Sequence, residues 1–92
     1  MSSLTAAAAD AESSAATTSF SVQACAEPGV MPRLLELFAK RGLVPERWHS
    51  AIARPGMRLS IDIEIAGMER DTVEYVASCM RQVSGVELVL TA

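Results

Sequence analysis

The segment RLSIDIEI, residues 58–65, is the clearest strand in the chain, and the fold can be built outward from it. Its apolar phase consists of Leu59, Ile61, Ile63 and Ile65. Its polar phase consists of Arg58, Ser60, Asp62 and Glu64. Successive side chains of a strand point to opposite faces of a sheet, so this period of two predicts one buried face. The other face is wet or at an interface, which is typical of an antiparallel sheet.

A turn and another strand come directly before this segment. The Pro-Gly pair in Arg54–Met57 predicts the turn. Residues 44–54, VPERWHSAIAR, predict a strand with an irregular start at Pro45. The single tryptophan in this strand, Trp48, is expected to pack at a sheet edge or interface.

A strand and a helix begin the patterned part of the chain. Residues 19–25, SFSVQAC, alternate as a half-buried strand, with Phe20, Val22 and Ala24 on one face. A corner follows at residues 26–33, AEPGVMPR. The next run predicts a helix whose apolar face consists of Leu34, Leu35, Phe38 and Ala39.

Proline and glycine set the expected limits of this helix. Pro32 is tolerable in a first turn, but it biases Met31 away from helical angles and predicts a late start. Gly42 is expected to end the helix as a C-cap, after two basic residues.

A second helix and a last strand complete the pattern. Asp71 or Thr72 is expected to cap the helix, and Gly85 to end it. Its apolar stripe consists of Val73, Val76, Ala77, Met80 and Val83. The final segment, GVELVLTA, predicts a strand in which Val86, Leu88 and Leu90 alternate.

The element order is therefore β-α-β-β-α-β within residues 19–92. Right-handed crossovers fold this order into an α+β ferredoxin-like sandwich, a four-stranded antiparallel sheet with two helices on one face. Residues 1–18 are rich in Ala, Ser and Thr and have no hydrophobic period, so we expect a flexible tail. A core in a chain of 92 residues is small, and oligomerisation is a common way to bury more surface.

Composition argues against several classes of partner and cofactor. The formal charge is −3, so we expect neither nucleic acid nor an anionic membrane as a partner. No run approaches the length of a membrane span, and the start has no basic residue or apolar core typical of a secretory signal. Cys25 and Cys79 are expected to be free thiols in the cytoplasm, with Cys25 buried at a strand end. With one histidine, we expect no metal or other cofactor.

Known activities of ferredoxin-like sandwiches fit this chain poorly. An RNA-binding sheet needs aromatic residues on its open face, where this chain has serine and acidic residues. A metal carrier needs a cysteine pair in the first loop, and an acylphosphatase-like site needs an asparagine, which the chain lacks entirely. No base is placed to activate Cys25, and Asp62 and Glu64 are typical of a solvated strand face. We therefore expect a protein that is not an enzyme.

The loop and helix read together resemble an ACT domain, the small amino-acid-sensing module. The resemblance runs through SFSVQACAEPGVMPRLLELFAKRGLV, the Pro-Gly hairpin, LSIDIEI, the second helix and GVELVLT, about residues 19–92. It is strongest to the small regulatory subunits of acetolactate (acetohydroxyacid) synthase. The matching positions there are Glu27, Gly29, Leu34, Phe38, Arg41 and Gly42.

This resemblance implies a non-catalytic regulatory subunit in branched-chain amino-acid biosynthesis. It implies a homodimer whose sheets join through edge strands, with an amino-acid effector bound at the interface, and a large catalytic synthase subunit as partner. The implied effector-binding residues are Glu27, Pro28, Gly29, Val30 and Met31. In this arrangement Gly29 leaves backbone N–H groups open to a carboxylate, and Val30 and Met31 contact an aliphatic side chain. Two alternatives remain open: a free-standing sensor that acts on another partner, and a structural dimer module without a ligand.

Two positions depart from the branched-chain-sensing pattern. An asparagine is usual just before the loop acid and another after the arginine-glycine pair that ends the helix. Ala26 and, approximately, Val44 occupy these positions. Neither side chain can hydrogen-bond a ligand, so either the effector differs or only the dimer and the enzyme contact remain.

Overall fold

The computed structural model describes residues 17–92, which form the predicted ferredoxin-like βαββαβ sandwich. The elements are β1 (Thr17–Cys25), α1 (Val30–Ala39), β2 (Arg47–Ala53), β3 (Arg58–Ala66), α2 (Arg70–Arg81) and β4 (Val86–Thr91). The four strands form one antiparallel sheet in the order β2-β3-β1-β4. The flexible tail predicted for residues 1–18 lies almost wholly outside the described residues, and β1 begins at Thr17, inside that range.

The buried core is almost entirely aliphatic and lies between the sheet and the helices. The alternation predicted for β1 and β3 is confirmed, since Phe20, Val22 and Ala24 are buried, as are all four apolar residues of β3. Two aromatic rings join the layers, because Phe20 meets Phe38 of α1 edge to face with 5.8 Å between ring centroids. The remaining buried side chains are Val30, Leu34, Val76, Ala77, Met80 and Val89.

Helix α1 departs from its predicted start and from its predicted apolar face. It begins at Val30, so the late start expected from Pro32 is wrong. Pro32 lies in the first turn, where no intrahelical N–H bond is lost. Leu35, assigned to the buried face, is 47% exposed and lies toward β2. The helix ends at Ala39, and the left-handed residue is Gly42 (φ +69°), beyond the C-cap residue Lys40.

Helix α2 begins earlier than its predicted caps. Its N-cap is Glu69, in extended conformation, and Asp71 lies inside the first turn. The predicted cap at Asp71 or Thr72 is therefore wrong. The negative charge of Asp71 still stabilises the helix, because the N-terminus carries the positive pole of the helix dipole.

The last strand has a bulge that changes which residues are buried. Val86 pairs with Ala24, whereas Leu88 pairs with Gln23, so the register shifts by one residue between them. Val89 is buried in consequence, and Leu90 is 56% exposed. The expectation that Val86, Leu88 and Leu90 share a face is wrong, because a bulge breaks the period of two.

The open face of the sheet is polar at its centre. Ser21 Oγ donates to Asp62 at 3.2 Å, and Ser60 Oγ donates to the Gln23 side-chain oxygen at 3.1 Å. These bonds join β1 to β3 across the face predicted to be wet. This surface presents no aromatic platform within residues 17–92.

Candidate functional site

The turn between β1 and α1 is held to two neighbouring segments by main-chain hydrogen bonds. The amide of Cys25 donates to the carbonyl of Gly85 at 2.8 Å. The amide of Ala26 donates to the carbonyl of Met57 at 3.0 Å, and the Val30 amide donates to the Glu27 carbonyl at 3.2 Å. The turn therefore sits at one end of the sheet, tied to both the β2–β3 hairpin and the start of β4.

Two backbone amides of this turn remain available to a ligand. Pro28 and Pro32 have no N–H group, and the amides of Val30 and Arg33 are bonded within the turn. Among residues 17–92, no acceptor meets the amides of Gly29 and Met31. Two donors at the N-terminus of a helix favour a negatively charged group such as a carboxylate.

A cation lies beside Gly29 in this turn. The guanidinium of Arg33 folds back over Gly29, so that a β-carbon built on Gly29 would lie 2.8 Å from Nη1. Arg33 is exposed, and a ligand carboxylate can therefore reach it from solvent. Guanidinium groups bind carboxylates through charge-assisted hydrogen bonds, often two at once.

Gly29 is the N-cap of α1 and has ordinary right-handed dihedral angles, φ −80° and ψ −10°. A glycine is thus not required there by backbone conformation. What its missing side chain provides is space for the Arg33 guanidinium. The Glu27 carboxylate lies on the Gly85 side of the turn, since a β-carbon on Gly85 would be 3.2 Å from Glu27 Oε1.

An apolar groove of about 660 Å³ opens next to the turn, between α1 and the start of β2. Its lining residues are Pro28, Met31, Pro32, Leu35, Val44, Pro45 and Trp48. A smaller apolar depression of about 210 Å³ shares Pro28 and Met31 with the groove and reaches Ile52 of β2. The turn amides and the two apolar surfaces therefore meet at Met31.

The groove exists because neither helix covers the inner face of β2. Trp48, Ser50 and Ile52 share this face, as they pair with the buried residues of β3. Trp48 is only half-buried and Ile52 is 46% exposed. At the opposite edge of the sheet, α2 packs against β4 and Val89 is fully buried. The two edges thus differ in whether a helix covers the inner face of the edge strand.

The five residues expected from the sequence to bind an effector divide into three groups. Pro28, Gly29 and Met31 lie together at the turn and the groove. Val30 is buried in the core, and its expected contact with a ligand side chain remains a prediction. The Glu27 carboxylate lies near Gly85. Its role in binding remains a prediction.

Sequence reasoning missed several residues that now surround the turn. Arg33 is four positions after Gly29, the spacing at which helical residues are neighbours, and this spacing could have indicated it. Leu35 falls beside the buried stripe of α1, and Val44 and Pro45 lie in a loop without a period. Only the packing of α1 against the sheet brings these residues to Trp48.

The thiol of Cys25 is exposed, so the expectation that it is buried is wrong. Its Sγ donates to Glu87 Oε2 at 3.6 Å, and Arg58 pairs with the same carboxylate. The pKa of Cys25 is raised, chiefly because its thiol donates to Glu87 and secondly because of the negative charge of that carboxylate. A raised pKa disfavours the nucleophilic thiolate.

Residues 17–92 contain neither a cluster of metal-ligating side chains nor a membrane-spanning helix. No three side chains among His, Cys, Asp and Glu are grouped so that they could hold a metal ion. Neither helix in this part of the chain is long and apolar enough to cross a membrane.

The fold and the turn define a small α+β domain whose first strand-to-helix turn lies beside an exposed sheet edge. The sequence matches the ACT-like domain family over residues 10–91, and the chain belongs to this family. No curated protein is significantly similar to it in sequence.

Solved structures of ACT proteins superpose on the chain at low sequence identity. The ACT domain of GTP pyrophosphokinase from Chlorobium tepidum gives a TM-score of 0.70 at 13% identity, covering 83% of this chain and 96% of that one. The acetolactate synthase small subunit from Thermotoga maritima gives 0.69 at 21% identity, covering 82% and 46%. The regulatory subunit of aspartate kinase from Thermus thermophilus gives 0.64 at 11% identity, covering 84% and 50%.

These likenesses support the fold and the general class. ACT domains are regulatory and non-catalytic, commonly dimerise, and occur in regulatory subunits of amino-acid-metabolising enzymes. This chain spans less than half of the synthase small subunit from Thermotoga maritima. Regulation of acetolactate synthase by this chain is therefore treated as a proposal.

Proposed function

We propose that this protein is an amino-acid-sensing regulatory ACT domain that acts as a dimer through β2. An effector carboxylate binds the amides of Gly29 and Met31 and the guanidinium of Arg33. The catalytic partner is the large subunit of acetolactate synthase, in branched-chain amino-acid biosynthesis in the cytoplasm. The protein itself contributes no catalytic residue.

The observation that carries the sensing function is a turn with two unpaired amides, those of Gly29 and Met31, and a guanidinium packed over Gly29. Backbone donors at a helix N-terminus and a nearby cation favour the same ligand group, a carboxylate. This arrangement needs no side-chain amide at position 26. It therefore supplies a binding mode that is compatible with Ala26 in place of the usual asparagine.

The open inner face of β2 favours this edge for the dimer. Pairing of two β2 strands joins the sheets into eight strands and covers Trp48, Ile52 and the neighbouring groove. Edge β4 offers Leu88 and Leu90 only on the polar face of the sheet, while its inner face is already closed by α2.

The acetolactate synthase assignment rests on the motif resemblance and on the structural likeness to one small subunit. The alternatives are a free-standing sensor with another partner and a dimer module without a ligand. A free-standing sensor would bind a different partner protein. A dimer module without a ligand would bind no effector.

A thermal-shift panel of the twenty amino acids tests the sensing function. A ligand that binds only the native state raises the melting temperature, by an amount that grows with ligand concentration. Gly29→Asp is the probe variant: it should abolish the shift, because its carboxylate takes Arg33 and repels the effector, and it should leave the dimer intact. No shift for the wild-type dimer at millimolar concentrations contradicts sensing.

Affinity capture from cell extract tests the partner. Recovery of the large synthase subunit by the wild-type protein supports the assignment. Repeated capture of a different enzyme, with the synthase subunit absent although it is expressed, contradicts it and favours the free-standing sensor.

A further inference from the structure

A single side chain joins the last turn of α2 to the edge strand β4. Arg81 Nη2 donates to the main-chain carbonyl of Val89 at 2.9 Å. We infer that this bond keeps β4 from pairing with β4 of a second copy of the chain, so that copies can join their sheets only at the β2 edge. The protected edge lies opposite the one proposed for the dimer, and effector binding plays no part in its protection.

The pairing of β1 with β4 fixes which backbone groups of β4 point away from the sheet. Ser19 and Ala92 exchange two hydrogen bonds, at 3.1 and 2.9 Å, and are therefore a hydrogen-bonded pair. Hydrogen-bonded and non-hydrogen-bonded pairs alternate along an antiparallel ladder, so Val89 and Thr91 belong to pairs without hydrogen bonds. Their N–H and C=O groups point outward, where a further strand would bind.

Arg81 occupies the place that an added strand needs. Such a strand would run about 4.8 Å from β4 and would donate an N–H to the Val89 carbonyl at about 2.9 Å. The Arg81 nitrogen already lies at that distance from the oxygen. Val89 is 1% exposed although it lies in an edge strand, which agrees with a cover over its main chain as well as its side chain. A new strand can therefore pair only after the guanidinium is displaced.

The β4 strand has the features of a segment that pairs readily with copies of itself. Its six residues, VELVLT, include one charged residue and neither proline nor glycine. Leu88 and Leu90 are 47% and 56% exposed on the open face of the sheet. Short segments with high β-propensity, low charge and no proline are typical of strands that stack edge to edge. An uncovered edge of this kind favours association between copies.

Two devices that protect sheet edges are present at β4. The register shift between Gln23 and Ala24 leaves a bulge at Glu87, which makes the start of the strand irregular. The regular part, residues 88–91, is the part to which Arg81 bonds. The bulge and the charged side chain together leave no continuous row of free backbone groups along the edge.

The opposite edge has no equivalent protection. Within residues 17–92, no side chain donates a hydrogen bond to a main-chain carbonyl of Arg47–Ala53. A sheet with two open edges could add copies at each edge without limit, whereas a sheet with one open edge stops at a pair. Protection of β4 by Arg81 therefore limits the size of the assembly.

Arg81→Met tests this role, because it removes the donor and the charge and keeps an unbranched apolar side chain. Sedimentation over a concentration series should give an average mass about twofold or more above that of the wild type at the same concentration, since a second edge is then open. Arg70→Met is the control, since it makes the same change at an exposed position in the first turn of α2, and it should match the wild type. Equal masses for Arg81→Met and the wild type, or an equal increase in both variants, overturn the inference.

A proline in the outward row locates any new contact. Thr91→Pro leaves the hydrogen bonds with β1 intact, because the Thr91 N–H points outward, and it removes a donor that an added strand needs. The double variant Arg81→Met, Thr91→Pro should therefore return to the mass of the wild type. If its mass stays raised, the contact lies elsewhere and the inference is overturned.

Hydrogen exchange at Thr91 gives a second readout that does not depend on mass. Its outward amide should exchange quickly in the wild type and in Arg70→Met, and should be protected in Arg81→Met at concentrations where that variant associates. Association that leaves this amide unprotected overturns pairing at β4. Circular dichroism verifies folding, and Arg81→Ala replaces Arg81→Met if the methionine variant does not fold.

Discussion

Arg33 folds its guanidinium over Gly29, the residue immediately before α1, so that a β-carbon at position 29 would lie 2.8 Å from Nη1. This contact joins the backbone donors of the turn to a positive charge. It also gives Gly29 a role that does not depend on an unusual backbone angle, since its φ is −80°.

Arg33→Met should weaken effector binding and leave the fold intact, because the side chain is exposed. Hydrogen bonds to charged groups contribute about 1.5–3 kcal/mol, roughly 10- to 100-fold in Kd. Calorimetric titration with L-leucine measures this change. Arg70→Met is the matched control, since it removes an equal charge from an exposed site at the start of α2. Equal effects of both variants would contradict a direct role for Arg33.

Gly85→Ala should lower the free energy of unfolding more than Gly67→Ala. Both glycines have positive φ, +96° and +82°, so both substitutions incur backbone strain of about 1–2 kcal/mol. Only at Gly85 does the new methyl group meet neighbours, Glu27 Oε1 and Val30 Cγ2, each at 3.2 Å. Urea unfolding of the two variants measures the difference. Equal losses of unfolding free energy in the two variants would contradict this prediction, because they would show that Glu27 and Val30 move aside without an energetic penalty.

Phe38→Ala should destabilise the domain by about 3–5 kcal/mol, because it removes a fully buried ring and its edge-to-face contact with Phe20. Leu35→Ala on the same helix should cost much less in the monomer, as Leu35 is 47% exposed. Chemical denaturation at low protein concentration compares the two. A large loss for Leu35→Ala that disappears on dilution would locate its contribution in the dimer.

Glu87→Gln should speed alkylation of Cys25 at mildly alkaline pH. The carboxylate raises the Cys25 pKa by accepting a hydrogen bond from the thiol and by its negative charge, so neutralising it lowers that pKa and increases the thiolate fraction. Iodoacetamide kinetics across pH, in a Cys79→Ala background, give the pKa directly. Glu69→Gln controls for the change in net charge. A slower reaction for Glu87→Gln would contradict the assigned cause.

Ile52→Lys should disrupt the dimer, whereas Leu88→Lys should not. The two side chains are equally exposed, 46% and 47%, but lie on opposite edges and opposite faces of the sheet. A charge at Ile52 would be buried without a partner if β2 forms the interface. Analytical ultracentrifugation reports the change, and Trp48, the only tryptophan, should shift its emission to the red on dissociation. The reverse result would place the interface at β4.

Much of the fold was predictable because the short-range alternation of apolar and polar residues indicates the strands and their buried faces. The alternation in residues 58–65 and 20–24 predicted which side chains are buried, and the glycines and prolines placed the turns. The position of the turn before α1 was equally accessible, since Gly29 is the helix N-cap. Helix limits were less predictable, because α1 begins at Val30 in spite of Pro32 and α2 begins before Asp71.

Two features depended on pairing between distant segments. The pairing of β1 with β4 shifts by one residue between Gln23 and Ala24. As a result, Val86 and Leu88 lie on opposite faces of the sheet, although they are two residues apart in the sequence. The groove arises where α1 leaves the start of β2 uncovered, so that Leu35 and Trp48 both line it. Neither a bulge nor an uncovered edge has a local period that the sequence displays.

The sequence by itself determined the order of the six elements, the faces of β1 and β3, and the place of the turn at residues 26–29, because these follow from local side-chain alternation and backbone preference. Only the tertiary structure decided that Arg33 lies over Gly29, that Val30 is buried, and that the inner face of β2 is left uncovered. The physical reason is that packing of a helix across a sheet selects which apolar residues are covered, and residues distant along the chain make that selection.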